Sequence, residues 1–487
     1  MRLSQLFTLC GTSLPPLSGD PDIISVTADS RTAGPGSLFF ALRGVKQDGT
    51  AFIVQALSRG ASAVIADHDP TKRGSGPGVI ERRDAKHLLA RMASILAGPQ
   101  PSCIAAITGT NGKSSTADFL RQLWILQGHR AASLGTLGLI SDTDVPQPPS
   151  LTTPDPVSLS RTLAALAREG VGHVALEASS HGLEQHRLDG LKITAAGFSN
   201  LTRDHLDYHL TIDAYRSAKL HLFSSVLAAG GPAAVNADMD PETFVALRDI
   251  AARRSLKFRT VGRNGSTLRL ISARPTPSGQ ILRLMLHGEE LPEITLTLPG
   301  SFQADNVMLA AAMCWEKDED AHKVLALLPE LKGVHGRCER AITLAGGAAA
   351  YVDYAHTPDA LECVLSSLRP HTAGKLVVVF GAGGDRDKGK RPLMGAVAAR
   401  LADLAIVTDD NPRTEDPSTI RSQIMAACPN AQEIADRRSA IAAGLEALSP
   451  GDILVVAGKG HEQGQIVGTE ILPFDDRLVI RELAGAA

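Results

Sequence analysis

The 487 residues carry 49 basic and 52 acidic side chains, a formal net charge of −3 and a pI near 6.6. That balance leaves no basic excess for a nucleic-acid backbone, and no lysine-rich or arginine-rich block stands out, so nucleic acid is not expected as a partner. The length is too great for one core and predicts roughly three domains, while no run approaches roughly eighteen apolar residues, so no membrane span is expected.

Six cysteines, Cys10, Cys103, Cys314, Cys338, Cys363 and Cys428, are scattered without a CxxC pair. That usage fits buried thiols in a reducing cytosol. The opening residues Met1 to Leu6 lack the apolar core and cleavage site of a signal peptide, so a cytoplasmic protein is expected.

Up to about Leu96 the pattern is one of small α/β units. Ser37 to Leu42 and Ala63 to Ala66 read as strands, and a helix-like segment ends at Ala56 to Gly60. Asp29, Ser30 and Arg31 precede a Gly34-Pro35-Gly36 turn and read by themselves as turn chemistry, since Asp and Ser bond their own backbone. Gly98-Pro99-Gln100-Pro101 ends the helical stretch Ala85 to Ala97 and marks the first boundary. Lone histidines such as His68 and His87 read as solvated surface residues.

Ile104 to Ile107 is an apolar run that predicts a buried strand, and Thr116 to Leu126 has helical spacing. Between them lies Thr108-Gly109-Thr110-Asn111-Gly112-Lys113-Ser114-Ser115. A strand, a glycine turn and a helix start aim backbone N–H groups and a positive dipole end at one spot, which is how phosphate is held. Lys113 would reach the outer phosphates and the Ser114 hydroxyl a magnesium ion. The strict pattern wants a further glycine where Ile107 stands, so this is a compact variant of the phosphate loop.

From Pro101 to about Lys332, apolar runs alternate with helical patterns, as in a doubly wound parallel sheet. Val174 to Glu177 is a strand that ends in an acid and then hydroxyls, at the edge where open α/β sheets bind ligands. Glu177 and His205 are candidate ligands for a cation near the phosphates, although magnesium prefers oxygen. A zinc site of His205 and His209 beside Asp204 and Asp207 is the rival reading, weakened by the lack of an HExxH motif.

After Gly333 the pattern starts afresh. Ala348 to Asp353, Lys375 to Phe380, Leu404 to Val407 and Ile453 to Ala457 read as four strands, each delivering polar residues from its C-terminal end. That is a second sheet with its own binding edge. Gly381-Ala382-Gly383 invites a nicotinamide dehydrogenase reading, which fails because the third glycine of that fingerprint would fall at Arg386.

In combination these residues resemble the Mur ligases, which extend the peptide of bacterial cell-wall precursors by ATP-driven amide formation. The likeness runs over essentially the whole chain. It rests on Asp29 to Arg31, Gly109 to Ser115, Leu176 to Arg187, Arg203 to His209, Tyr351 to Glu362, Gly383 to Pro392, Asp410 to Arg413 and Gly458 to Glu462. The fold it implies is α/β in three domains: a small α/β domain for the uridine nucleotide (1–98), a central P-loop ATPase-type mostly parallel sheet flanked by helices (99–333), and a Rossmann-like domain that closes over the site with the incoming amino acid (334–487).

The resemblance further implies that Gly109, Thr110, Asn111, Gly112, Lys113, Ser114 and Ser115, with Asn306, Arg337, Asp353 and His356, bind ATP. It assigns Ser30, Thr152, Thr153, Ser179, Gln185 and Arg187 to UDP-N-acetylmuramoyl-L-alanyl-D-glutamate. Lys113, Lys219, Glu177 and His205 are its catalytic set. Lys219 matches the family's carbamylated lysine, which with Ser114, Glu177 and His205 would hold Mg2+. By residue chemistry and by likeness to the family motif, Asp410, Asn411, Pro412 and Arg413, with Arg386, Gly458 and Glu462, suit meso-diaminopimelate, whose distal carboxylate a guanidinium fork matches. A lysine-adding relative, a folylpolyglutamate synthase-like ligase and a protein that only senses ATP are the alternatives. A monomer is expected.

Overall fold

The computed structural model describes residues 1–15, 19–44, 47–68, 79–202, 204 and 206–485, with the backbone alone for Leu206 and Asp207. His205, and with it the His205 half of both cation readings, lies outside the described residues. The chain divides into two compact units, Met1–Arg259 and Thr260–Ala487.

The first unit opens with β1 (Ser25–Thr27), β2 (Ser37–Ala41), β3 (Ala63–Ala66) and β4 (Val79–Glu81), a parallel sheet in chain order. Successive strand side chains point to opposite faces. Leu38, Phe40 and Ile65 therefore pack with Leu88, Leu89 and Met92 of helix Ala85–Ala97, while Phe39, Ala41 and Val64 pack with Ile53 and Ala56 on the other side. Covered on both faces, β2 and β3 are apolar or small almost throughout.

The rest of this unit is built on β5 (Cys103–Thr108), β6 (Ala131–Gly135), β7 (Gly138–Ile140), β8 (His173–Glu177), β9 (Ile193–Phe198) and β10 (Pro232–Asn236), in the order β10-β9-β5-β8-β6-β7. All neighbours in this stretch are parallel except β6 and β7. β5 sits between β9 and β8, so connections leave it to both sides and a crevice opens at its C-terminal end. Helix Lys113–Leu126 starts at that end.

β11 (Lys257–Gly262) lies at the junction of the units. In the second unit β12 (Leu268–Thr276), β13 (Gly279–Leu286), β14 (Glu289–Glu290) and β15 (Ile294–Leu296) pair antiparallel about β13. This corrects the expectation of uniform strand–helix alternation up to Lys332. Pro277 and Ser278 alone join β12 to β13, a connection that only antiparallel strands can make. The period of two shows in β13, where Leu282, Leu284 and Leu286 are buried and Arg283 is exposed.

β16 (Glu339–Thr343), β17 (Ala349–Asp353), β18 (Leu376–Phe380), β19 (Leu404–Val407), β20 (Gln432–Glu433) and β21 (Ile453–Ala457) form the last large sheet, ordered β16-β17-β21-β18-β19-β20. The four expected strands are its parallel interior. The edges β16 and β20 carry too little apolar signal to be read from sequence, and β16 runs antiparallel. Helices Pro358–Leu368, Lys390–Leu401 and Pro417–Met425 cover one face, and Arg437–Glu446 and Asp476–Leu483 the other. The fold class is thus α/β throughout. Four of the six cysteines, Cys10, Cys314, Cys338 and Cys428, are buried, whereas Cys363 is exposed. Among the described residues no helix is long and apolar enough to cross a membrane.

Arg437 and Asp476 form a bidentate ion pair with both side chains 0% exposed, Nε to Oδ1 and Nη2 to Oδ2 each at 2.7 Å. The same guanidinium donates to the carbonyl of Ala457 at the end of β21 (3.1 Å). Removing one partner strands a buried charge, whereas removing both does not. Arg437→Ala and Asp476→Ala should each destabilise the second unit by about 3–5 kcal/mol, and Arg437→Met with Asp476→Leu by clearly less than either. Urea unfolding followed by circular dichroism measures this, and a double variant as weak as the singles would contradict it.

Candidate functional site

Two glycines shape the loop after β5. Gly109 has φ +143° and stands so close to the next segment that a Cβ would lie 2.0 Å from Ser199 Oγ. Gly112 is left-handed at φ +86° and begins helix Lys113–Leu126 with no side-chain cap. Helices Pro156–Arg168, Pro241–Arg253 and Pro358–Leu368 start instead on Asp155, Asp240 and Thr357, whose side chains accept first-turn N–H groups. The loop helix therefore keeps donors for an outside acceptor.

The loop is stapled to the segment after β9. Asn200 accepts from Thr110 N through its carbonyl and from Asn111 N through Oδ1, both at 2.9 Å, and Thr202 N donates to Thr110 Oγ1 at 3.0 Å. Lys113 Nζ folds back onto the carbonyls of Gly109 (2.9 Å) and Thr110 (2.7 Å). Lys219 Nζ, from helix Ile212–His221, donates to the same Gly109 carbonyl at 2.7 Å and lies 4.5 Å over the Tyr215 ring. At 1% exposure Lys219 is not the solvated helix lysine that its neighbours in sequence suggest. Burial, and then the like charge of Lys113, push its amine well below the ordinary lysine value.

Ser114 and Ser115 are buried in the first turn of the helix. Glu177 ends β8, beside β5, and is 3% exposed. Its carboxylate accepts from Thr136 N at 2.8 Å and Thr136 Oγ1 at 3.1 Å. Thr152 meets the same Thr136 hydroxyl at 3.0 Å. A hydroxyl in the first turn of the helix after β5 and a carboxylate at the end of the neighbouring strand suit a hard divalent cation; an unmodified lysine amine does not.

The residues expected to take the muramoyl-dipeptide form one network, apart from Ser30. Thr153 Oγ1 donates to the Glu177 carbonyl (2.8 Å) and accepts from Ser179 N and Oγ (both 3.0 Å). Arg187 donates to the Thr153 carbonyl and, through Nη2, to Gln185 Oε1 at 2.7 Å. Gln185 in turn donates to the Tyr208 hydroxyl at 3.0 Å. Ser30 belongs to another network. Its buried hydroxyl donates to Gln55 Oε1 at 2.7 Å, while Asp29 takes the Arg31 N–H and guanidinium in the turn chemistry that the sequence predicts.

In the second unit Asn306 is buried in helix Ser301–Cys314 and donates to Gln303 Oε1 at 3.1 Å. Asp353, at the end of β17, accepts from the N–H groups of Cys338 (2.6 Å) and Ala355 (2.8 Å). Burial raises its carboxyl to about 6, against the opposing charge of Arg337. The Arg337 guanidinium lies 4.6 Å over the Tyr354 ring, and His356 Nδ1 pairs with the Tyr354 carbonyl at 2.8 Å.

Beyond β19, Asn411 is clamped on three sides: its Oδ1 accepts from Lys459 Nζ and Ile466 N, both at 2.9 Å, and its amide donates to Glu462 Oε2 at 2.8 Å. Arg413 has φ +53°, a strained conformation for a non-glycine residue. Its N–H donates to the Ile466 carbonyl (3.1 Å) and its carbonyl accepts from Gly468 N (2.8 Å), so the hairpin Gly464–Val467 and Glu470–Pro473 holds the strain. Its guanidinium donates to the Gly384 carbonyl at 2.8 Å.

Arg413 is half-buried. Its sequence neighbour Glu415 is bonded bidentately to the buried Arg391 (3.0 and 3.1 Å), and those hydrogen bonds hold the Glu415 carboxyl near about 2. Arg386 is exposed, and Asp410 is buried against Gly458, where a Cβ would lie 2.4 Å from Asp410 Oδ2.

Sequence reasoning missed the residues that position the named ones: Asn200 and Tyr215 behind the loop, Thr136 on Glu177, and Lys459, 0% exposed, between Asn411 and Glu462. Lys459 lies within the Gly458 to Glu462 motif, but nothing local marks a lysine as buried. Two further histidines contradict the sequence reading. His68 pairs with Asp67 and Asp48, and His87 with Asp189, so neither is merely solvated.

Family models match three consecutive stretches: "Mur ligase family, catalytic domain" at 22–101, "Mur ligase middle domain" at 107–314 and "Mur ligase, glutamate ligase domain" at 336–460. A Caulobacter vibrioides protein named UDP-N-acetylmuramoyl-L-alanyl-D-glutamate–2,6-diaminopimelate ligase is 51% identical over 98% of this chain and 97% of its own. One of that name from Brucella melitensis is 48% identical over 98% and 96%. A solved structure, also of a ligase of that name, superposes with a TM-score of 0.72 at 32% identity, covering 100% of this chain and 99% of that one. Matched in all three domains and similar to these relatives from end to end, the chain belongs to the Mur ligase family.

Proposed function

We propose that this chain is the ATP-dependent ligase that joins meso-diaminopimelate to UDP-N-acetylmuramoyl-L-alanyl-D-glutamate, in the cytoplasm, with domain limits near 98 and 333. Family membership supports the reaction class, and the names of the full-length relatives support the two substrates. The observation that carries the site is the Gly109 carbonyl, where Lys113 and the buried Lys219 meet.

The D-glutamyl carboxylate is a poor acyl donor, so one of its oxygens attacks the γ-phosphorus of ATP, forming an acyl phosphate and releasing ADP. Positioning and charge neutralisation drive that step. The uncapped helix start and Lys113 supply N–H donors and positive charge to the phosphates. Thr152, Thr153, Ser179, Gln185 and Arg187 orient the dipeptide, Ser30 serves the uridine end, and Asn306, Arg337, Asp353 and His356 remain assigned to ATP. The amine of diaminopimelate then attacks the acyl carbon. Phosphate leaves, a proton passes to solvent, and an amide remains.

Ser114 and Glu177 fit Mg2+, which when bound neutralises charge on the phosphates. Lys219 fits only if it changes sign. A neutral amine attacks CO2 through its nitrogen lone pair, a proton leaves, and the carbamate formed is an anion that suits a metal. The depressed basicity of the buried Lys219 supplies that neutral amine.

Asp410, Asn411, Pro412 and Arg413, with Arg386, Gly458 and Glu462, are assigned to diaminopimelate. Lys459 and Arg391 keep Asn411 and Glu415 engaged, which leaves Arg413 as the guanidinium available to the distal carboxylate.

Lys113→Ala should lower turnover by at least two to three orders of magnitude with the fold intact by circular dichroism. A phosphate-release assay with and without the muramoyl-dipeptide reads this, and near-normal turnover would sink the phosphate-loop assignment. Lys219→Ala should be inactive and partly rescued by bicarbonate or short carboxylic acids; a fully active variant together with a wild type free of carbamate mass contradicts the assignment.

In competition between meso-diaminopimelate and L-lysine, the wild type should prefer diaminopimelate by roughly a hundredfold to a thousandfold, the lower end reflecting the half-buried Arg413. Arg413→Ala should lose most of that preference. Equal incorporation by the wild type would place the enzyme with lysine-adding relatives.

A further inference from the structure

Asp189 is surrounded by three imidazoles away from the phosphate loop. His87 Nδ1 stands 2.9 Å and His186 Nδ1 2.7 Å from Asp189 Oδ2, and His221 Nε2 stands 3.1 Å from Oδ1. The four residues come from helix Ala85–Ala97, from the turn after helix Ser180–Glu184 and from the end of helix Ile212–His221. They line a cavity of about 550 Å3, whose walls also carry Asp67, Asp84 and Glu184. The donor atoms of His87, His186 and Asp189 all lie within 4.8 Å of one another.

A single buried carboxylate needs no more than one imidazolium to neutralise it. Here three rings converge on it, and His186 does so from a left-handed backbone at φ +58°. Burial works to raise the Asp189 carboxyl, yet the hydrogen bonds from His186, His221 and His87 outweigh it and hold the group well below the usual carboxylate range. The site is thus built around an anion and three nitrogen donors, with side-chain exposure of 6% at Asp189 and 38–39% at His186 and His87, which leaves an entry path.

The geometry points to a transition-metal site of zinc type formed by His87, His186 and Asp189, with His221 as a positioning residue that holds the carboxylate's other oxygen. Two imidazoles and a carboxylate with an open fourth position suit Zn2+ and its borderline neighbours, not the oxygen-seeking Mg2+ of the phosphate loop. In a tetrahedral site with bonds of about 2.0 Å the donors stand roughly 3.3 Å apart. The His87–Asp189 and His186–Asp189 separations of 2.9 and 2.7 Å reach that value with small outward side-chain shifts, and the two imidazole nitrogens lie within 4.8 Å of each other. On loading, each of the two ligating rings binds through a neutral nitrogen lone pair, and the protons they now share with Asp189 pass to the other ring nitrogen or to solvent.

The ion would join the first domain, which supplies His87, to the central one, which supplies the rest. It would also fix the turn that carries Gln185 and Arg187. The inference does not depend on the ligase reading, since it rests on donors outside every residue assigned to substrate.

Tag-free full-length protein, stripped with chelator and dialysed, is titrated with ZnCl2 and bound metal is counted by mass spectrometry. One zinc per chain is expected, retained against a large excess of MgCl2. His87→Gln and His221→Gln should each weaken binding at least tenfold, and cobalt-loaded wild type should show the visible absorption of tetrahedral ligation, lost in His87→Gln. Cys363→Ser, which removes the exposed thiol, should change nothing. No stoichiometric binding by wild type, binding that survives both histidine substitutions, or binding abolished by Cys363→Ser would each overturn the assignment.

Discussion

Two lysine nitrogens on one backbone carbonyl cannot both carry full charge in a buried setting, and the Gly109 carbonyl imposes that constraint here. Lys113 is half-buried in the first turn of its helix. Lys219 is sealed over Tyr215, and burial together with the charge of Lys113 disfavours its protonated form. The loop geometry follows from the same crowding, because Ser199 and Asn200 press against Gly109 so closely that no side chain fits there. Strand, loop and helix are therefore held from behind by the segment after β9, and the face toward the crevice keeps its donors.

The second unit solves a similar positioning problem with strain in place of crowding. Arg413 sits in a left-handed conformation that its own backbone would not choose, and a hairpin bonds both its N–H and its carbonyl to keep it there. Around it Arg391 engages Glu415, and Lys459 engages Asn411 and Glu462. Buried cations are expensive unless paired, so each fixes its acid or amide partner in one place. Residues on such supports have little conformational freedom left to lose.

The fold makes both arrangements possible by the same device. Each sheet is parallel in its interior, so every strand ends on the same edge, and the polar residues that follow β5, β8, β17, β19 and β21 gather there within their own units. The antiparallel elements are peripheral to this: β7, β12 to β15 and β16 are joined by short turns or lie at edges and deliver none of the assigned residues.

Sequence alone determined the interior strands, because runs such as Ile104 to Ile107 and Ile453 to Ala457 are apolar for burial on both faces. It also determined the glycine turn after β5, whose glycines and lysine lie within five residues of one another. The edges β16 and β20 were not legible, since a half-exposed or two-residue strand has too few apolar positions to show a period, whereas β13 carries its period of two in the sequence and only its antiparallel pairing was missed. The burial of Lys219 and Lys459 and the partners of His87 were decided only by tertiary structure. Each depends on a residue far away in sequence, Gly109, Asn411 or Asp189, and a side chain's charge and pairing are set by what the fold brings beside it.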